Sequence, residues 1–309
     1  MSDVQLIQRH AGERTQQVGF ALAQDDFSFV SSEAVSNGPF PQTLRMALEV
    51  ASASSANWTI MLDADVLILP GSVARLIDLA DRYPADHFVI SASIYDNFLG
   101  TVRPGGIRAY RTAFIERAIK ELGYGNQIRP ESSLLKRLGE LGHPSHATCL
   151  VAGVHDFEQS FADIYRTAVV HGVKFRTRIP REMPRWEERA EFDDDFRVLI
   201  EGVRHGLTLT DVELDATQFR ELGSRILEEL GLSEKPQLSA TDALDANRYL
   251  PDDLQWLRRS TPLTRAFPEF ASKMARRPGQ PRRLRSPRLI FRHRKLLRRP
   301  SAIPFRRLI

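Results

Sequence analysis

Residues 60–72 read Ile60-Met61-Leu62-Asp63-Ala64-Asp65-Val66-Leu67-Ile68-Leu69-Pro70-Gly71-Ser72, an apolar run with two carboxylates one residue apart at its centre. Such a run, bounded by turn residues, reads as a buried strand of residues 58–69 that Pro70-Gly71 ends, with Ser72 capping a helix over 73–81. Successive side chains of a strand alternate faces, so Asp63 and Asp65 are expected on one side, about 7 Å apart. Burying an unpaired carboxylate costs several kcal/mol. A pair of them amid apolar neighbours therefore calls for a cation, and a hard divalent ion such as Mg2+ or Mn2+ suits carboxylate oxygens while leaving positions for a phosphate.

Outward from this stretch the chain alternates. Residues 4–7 form a short strand, a helical pattern runs to about Ala23, 27–32 (FSFVSS) read as a second strand and 43–53 as a second helix. After the helix at 73–81 comes a strand at 87–95, then a loop at Gly105-Gly106 entering a helix by residue 123. Further helices are expected at 130–142 and 161–172. The alternation predicts an α/β fold, a mostly parallel sheet with helices on both faces, whose ligands belong at the carboxyl ends of the strands. From about 180 the sequence is polar and helical. Three regions follow: a sheet domain over 1–178, a helical extension over 179–272, and a basic tail over 273–309.

The tail holds 14 Lys or Arg and no acid, which splits the net charge of +4 into about −10 on the body and +14 on the tail. Between Pro287 and Pro300 apolar residues interleave with the cations, the pattern of an interfacial helix on an anionic lipid surface. The acidic body and the absence of a nucleic-acid module argue against nucleic acid as partner. No run of 18 apolar residues and no basic-then-apolar leader is present, so a cytoplasmic location is expected, peripheral to the inner face of the membrane. The single Cys149 excludes an internal disulfide and a cysteine zinc site, and its apolar surroundings (TCLVAG) read as packing.

The Asp-x-Asp strand end, with Gly12-Glu13-Arg14-Thr15 after the first strand, Arg45 on the second helix and Pro70 beyond, resembles the GT-A fold glycosyltransferases of the family 2 type, over roughly residues 4–175. The resemblance implies a non-processive transfer of a sugar from a UDP- or GDP-linked donor to a glycan or lipid-linked acceptor. It places Arg9, Glu13, Arg14, Glu33, Arg45 and Asp63 at the donor, and Mn2+ or Mg2+ on Asp63 and Asp65. Gly105, Gly106, Arg108 and Tyr110 match the family's acceptor segment. Inversion needs a base, for which Asp156 or Glu158, emerging after the apolar run 150–153, and then Asp96, are the choices, with His155 completing the metal shell. Bland roles stand beside these: Glu13 and Arg14 as first-turn helix charges, Arg45 on a solvated face, Asp156 as a helix cap.

Two other classes fit parts of the chain. LDADVLIL also resembles the strand motif of haloacid-dehalogenase-type phosphatases, which would make Asp63 a nucleophile and Asp65 its acid/base, with Lys174 and Asp193-Asp194 as partners. A non-catalytic transferase-like module for membrane assembly is the third reading, because His155-Asp156-Phe157-Glu158 departs from the family's usual acidic motif.

Overall fold

Val4–Arg9 (β1) is buried at every position, which demands cover on both of its faces. The computed structural model, which describes residues 2–36, 38–123, 129–210 and 216–238, supplies that cover. In chain order the elements after β1 are α1 (Gln16–Asp26), β2 (Ser31–Val35), α2 (Phe40–Ser52), β3 (Trp58–Asp63), β4 (Val66–Ile68), α3 (Ser72–Ala80), β5 (Val89–Asp96), β6 (Thr101–Arg111), a 3-10 turn (Thr112–Phe114), α4 (Ile115–Glu121), α5 (Pro130–Glu140), β7 (Ser145–His155), α6 (Phe161–Lys174), α7 (Ile179–Ala190), α8 (Asp194–Thr208) and α9 (Ala216–Leu230). The sheet runs β2-β1-β3-β6-β5-β7-β4. β1, β2, β3, β5 and β7 share one direction, and β6 and β4 oppose it.

Alternate strand residues feed two cores. Leu6, Ile60, Leu62, Ile90 and Ile94 pack with Val73, Leu76 and Ile77 of α3, while Ile7, Met61, Val89 and Tyr110 pack with Leu44 and Leu48 of α2 and with Leu134 and Leu138 of α5. Helices thus lie on both faces of a predominantly parallel sheet, the expected class. A third core joins α6, α7, α8 and α9 around Trp186 and Phe196, and the Trp186 indole donates to the Phe98 carbonyl at 2.7 Å, beside the end of β5.

Four local expectations are corrected. The run 58–69 is two strands. β3 ends at Asp63, Ala64 and Asp65 turn, and Val66–Ile68 pairs with Gly153 to His155 of β7 at the opposite edge. Four strand spacings separate β3 from β4, about 19 Å on a flat sheet, yet the two-residue link spans at most about 10 Å. The sheet must curl, and the curl carries Asp65 to the end of β7. Second, β2 starts at Ser31: Phe27 and Phe29 instead pair their rings at 5.2 Å and pack beside the α3 core. Third, Ser72 is the first helical residue of α3, and the cap is remote, Asp26 accepting from the amides of Gly71 and Val73. Fourth, residues 101–111 form β6 and no loop. Gly106, at φ +77°, permits it, since a Cβ there would stand 2.7 Å from Val66 Cγ2.

Among the described residues no helix is long and apolar enough to cross a membrane. The basic tail 273–309 and residues 239–272 of the expected extension lie outside the described residues.

α6, which lines the site, packs on α8 through Gly172, Gly202 and Gly206; a Cβ on Gly206 would run into the Val169 carbonyl of α6. Gly206→Ala is expected to force the helices apart and lower stability by about 2 kcal/mol, read as the urea unfolding midpoint. An unchanged midpoint would mean that the two helices do not meet at this seam.

Candidate functional site

The carboxyl ends of β1, β3 and β7 meet above the Ala64–Asp65 turn. The turn is held from below: Ala64 N donates to the Arg9 carbonyl at 3.0 Å, and Thr15 Oγ1 donates to the Ala64 carbonyl at 2.7 Å while Gln159 Nε2 donates to Thr15 at 2.8 Å.

Its two acids go to different partners. Asp63 Oδ1 meets Arg9 Nη2 at 2.6 Å, and Arg9 Nη1 meets Glu131 Oε1 at 2.8 Å. Arg108 reaches the other oxygen of Glu131 at 2.7 Å, though at an angle poor for a hydrogen bond, and the Tyr110 hydroxyl donates to Oε1. Burial would raise the Glu131 carboxyl, but Arg108, Arg9 and Tyr110 outweigh it and hold it at about 2. For Asp63 burial wins over Arg9, and its pKa is raised.

Asp65 faces the other way. Its Oδ2 lies 3.3 Å from His155 Nε2, and His155 Nδ1 lies 2.8 Å from Asp156 Oδ2. Behind them Asp96, fully buried, accepts from Arg103 Nε at 2.6 Å and from the Leu99 amide. Arg103 Nη2 stands 3.2 and 3.3 Å from the two ring nitrogens of His155, hence over the ring. Burial opposes charge on His155, but Asp156 and Asp65 overcome it and hold its pKa well above the usual histidine value. Burial likewise pushes Asp65 up, and His155 overrides it to leave the carboxyl at about 2. Asp156 is raised, by burial first and by Asp96 and Asp65 as well. It sits at φ +56° and Glu158 at φ +55°, left-handed conformations uncommon outside glycine and characteristic of constrained sites.

Asp65, His155 and Asp156 each offer one ligand atom, all within 4.8 Å of one another. Asp65 Oδ1 and Asp156 Oδ2 are buried and accept no well-angled hydrogen bond. Asp156 Oδ2 has the His155 ring nitrogen 2.8 Å away, whereas Asp65 Oδ1 has no donor, which is costly for a buried carboxylate; two carboxylates beside an imidazole form a donor set that fits a divalent cation of the Mg2+ or Mn2+ type.

The cluster opens into a cavity of about 250 Å³, to which Glu13, Asp65, Arg103, Arg166, His171 and Lys174 contribute. Glu13 accepts from the Ala11 amide at 2.6 Å and lies 3.3 Å from Arg166. Burial raises its pKa to about 7 against the pull of Arg166.

Of the residues expected from sequence, Arg9, Glu13, Asp63, Asp65 and His155 line this cavity, and Asp156 adjoins it through His155. The others lie elsewhere. Arg14 pairs with Glu158 at 2.6 Å and donates to the Pro236 carbonyl, so neither reaches the cavity. Glu33 is exposed on the edge strand β2, and Arg45 donates to the Leu122 carbonyl at the end of α4. Gly105 and Gly106 are buried in β6, and Arg108 and Tyr110 serve Glu131. Asp96 is pinned beneath Arg103. Of the phosphatase partners, Lys174 lines the cavity, whereas Asp193 caps α8 and Asp194 pairs with Arg197. Cys149 is half-buried with a thiol raised by burial.

Sequence reading missed Arg103, Glu131, Arg166 and His171. A helical-period search for polar residues on the apolar helix 161–174 would have found Arg166, His171 and Lys174 on one face.

No family model matches the chain. No curated protein matches it either. Among solved structures it is similar to a glycosyltransferase involved in glycosylation of the major capsid of PBCV-1, at 10% identity and TM-score 0.36 over 50% of this chain and 93% of that one. Glucosyl-3-phosphoglycerate synthase from Mycobacterium tuberculosis, in complex with Mg2+ and UDP, is similar at 10% identity and TM-score 0.36 over 50% and 71%. A CMP-2-keto-3-deoxy-manno-octonic acid synthetase complexed with CTP is similar at 13% identity and TM-score 0.34 over 49% and 91%. Likeness at this level assigns no substrate, and the functional reading rests on the site itself.

Burial of Glu13 yields a pH signature. Its folded pKa lies above its unfolded one, so the folded state favours the protonated form and loses stability as pH rises from about 4.5 to about 7. Glu13→Gln keeps an acceptor for Ala11 and removes the penalty. The variant is expected to match the wild type at pH 4 and to exceed it by about 3 kcal/mol at pH 8, measured by denaturant unfolding at both values.

Proposed function

We propose that the chain is a metal-dependent glycosyltransferase of GT-A type, taking a sugar from a UDP- or GDP-linked donor. The observation that carries this reading is the convergence of Asp65, His155 and Asp156, with the buried Asp65 Oδ1 lacking a hydrogen-bond donor, at the edge of a cavity also lined by arginines and a lysine.

In this reading Asp65, His155 and Asp156 hold Mn2+ or Mg2+, which when bound supplies positive charge against the leaving diphosphate. The part Asp63 plays differs from that of a direct ligand. Tied to Arg9, it fixes the turn that presents Asp65. Arg103, over the His155 ring, orients the imidazole and keeps Asp96 charged. Arg166 lies at the cavity wall beside Glu13, where a diphosphate oxygen can be met by its guanidinium. Of the carboxylates expected as base, Asp156 alone adjoins the cavity, where in this reading it serves the metal; Asp96 is held low by His155 and Arg103 against its burial, and Glu158 is spent on Arg14. The acceptor, a glycan or lipid-linked sugar, would be met at a membrane surface if residues 273–309 bind anionic lipid.

Titration calorimetry of UDP and GDP with and without Mn2+ tests the assignment. The wild type is expected to bind one of them only when Mn2+ is present, and Asp65→Asn to weaken that binding about 100-fold, about 2.7 kcal/mol. Binding that is indifferent to the metal, or unaffected by Asp65→Asn, would overturn it.

A further inference from the structure

Among the described residues four lysines and arginines line the cavity, and three of them are matched to acids: Arg9 to Asp63, Arg103 to Asp96 and Arg166 to Glu13. Lys174, the last residue of α6, has no ion-pair or hydrogen-bond partner among the described residues. It is only partly exposed, and its charged neighbour is another cation, Arg129, whose guanidinium stacks on the Phe175 ring at 5.0 Å. A solvated lysine usually carries its ammonium out to water. Here burial, and Arg129 after it, hold the pKa down at about 8.

His171 precedes Lys174 by three residues and faces the same cavity. Burial keeps its pKa at about 4, leaving a neutral imidazole N–H to donate beside the ammonium. Eight residues separate Lys174 from Arg166, about 12 Å along the helix. The Lys174 end is therefore well removed from the Glu13 end.

We infer that Lys174, with His171 beside it, forms an anion subsite at the C-terminal end of α6 that takes a phosphate or carboxylate carried by the acceptor. The name acceptor rests on the transferase reading above; the anion subsite itself does not. An unmatched, half-buried ammonium beside a second cation costs stability until an anion arrives, and a carboxylate or phosphate oxygen supplies what the protein withholds. The donor diphosphate would lie with the metal, leaving Lys174 for the second substrate.

Sulfate, divalent throughout the neutral range, is the probe. In metal-free protein, titration calorimetry is expected to show sulfate binding that Lys174→Met weakens at least tenfold and Asp65→Asn leaves unchanged. With Mn2+ present, UDP or GDP binding is expected to be unchanged in Lys174→Met. The same variant is expected to melt a few degrees above the wild type without ligand, since it removes an uncompensated charge, which a structural lysine would not do. Sulfate affinity equal in wild type and Lys174→Met would overturn the subsite, as would its loss in Asp65→Asn. Nucleotide binding weakened by Lys174→Met would assign the lysine to the donor and overturn the acceptor claim. If the wild type binds no nucleotide at all, the transferase reading fails while the sulfate result still decides the subsite.

Discussion

A guanidinium at the end of a fully buried strand is the constraint on which the site depends. Arg9 is 3% exposed, and water cannot solvate it there. Its charge is met by Asp63 from β3 and Glu131 from α5, and Glu131 in turn gathers Arg108 and Tyr110 from β6. Removing either acid would strip one of the two guanidinium nitrogens of its partner, and removing both would leave an uncompensated buried charge at a cost of several kcal/mol. This network ties together three neighbouring strands and the helix below them. It also spends Asp63, which leaves Asp65, two residues on, to meet His155.

Curling of the sheet does the rest. Because only Ala64 and Asp65 join β3 to a strand on the far edge, the two ends of the sheet approach and Asp65 lands on His155. The backbone at Asp156 and Glu158 is left-handed, and hydrogen bonds from Asp156 N to the Asp65 carbonyl and from Asn97 N to the His155 carbonyl hold the junction. Acids that would repel one another are gathered around one imidazole and one guanidinium. A divalent cation can take over the charge that the protonated His155 carries.

Much of the fold was legible in the chain. Apolar runs at 4–9, 58–63 and 89–96 were strands because burial on both faces demands continuous hydrophobicity, and the helices over 43–53, 73–81, 130–142 and 161–172 followed from their period. The split of 58–69 was not legible: period-two geometry extrapolates through Ala64 unless the crossover to β7 is known. β6 was hidden by its glycines and by arginines, whose partners are remote in sequence. At the site, Asp65, His155 and Asp156 were marked by their place after apolar runs. Glu131 and Arg103 were not, since a buried ion pair such as Arg9 with Glu131, 122 residues apart, leaves no local trace. Arg14 and Arg45 looked like ligand contacts by position, and tertiary contacts with Glu158 and Leu122 claim them.

The central claim is that the two acids of the turn have separate duties, Asp63 to a buried arginine and Asp65 to a metal. Anomalous diffraction from crystals soaked in Mn2+ tests it most directly. A single peak within coordination distance of Asp65, His155 and Asp156, with Arg9 still on Asp63, is the predicted result. A peak bridging Asp63 and Asp65 with Arg9 displaced, or no peak in this cavity, would contradict it.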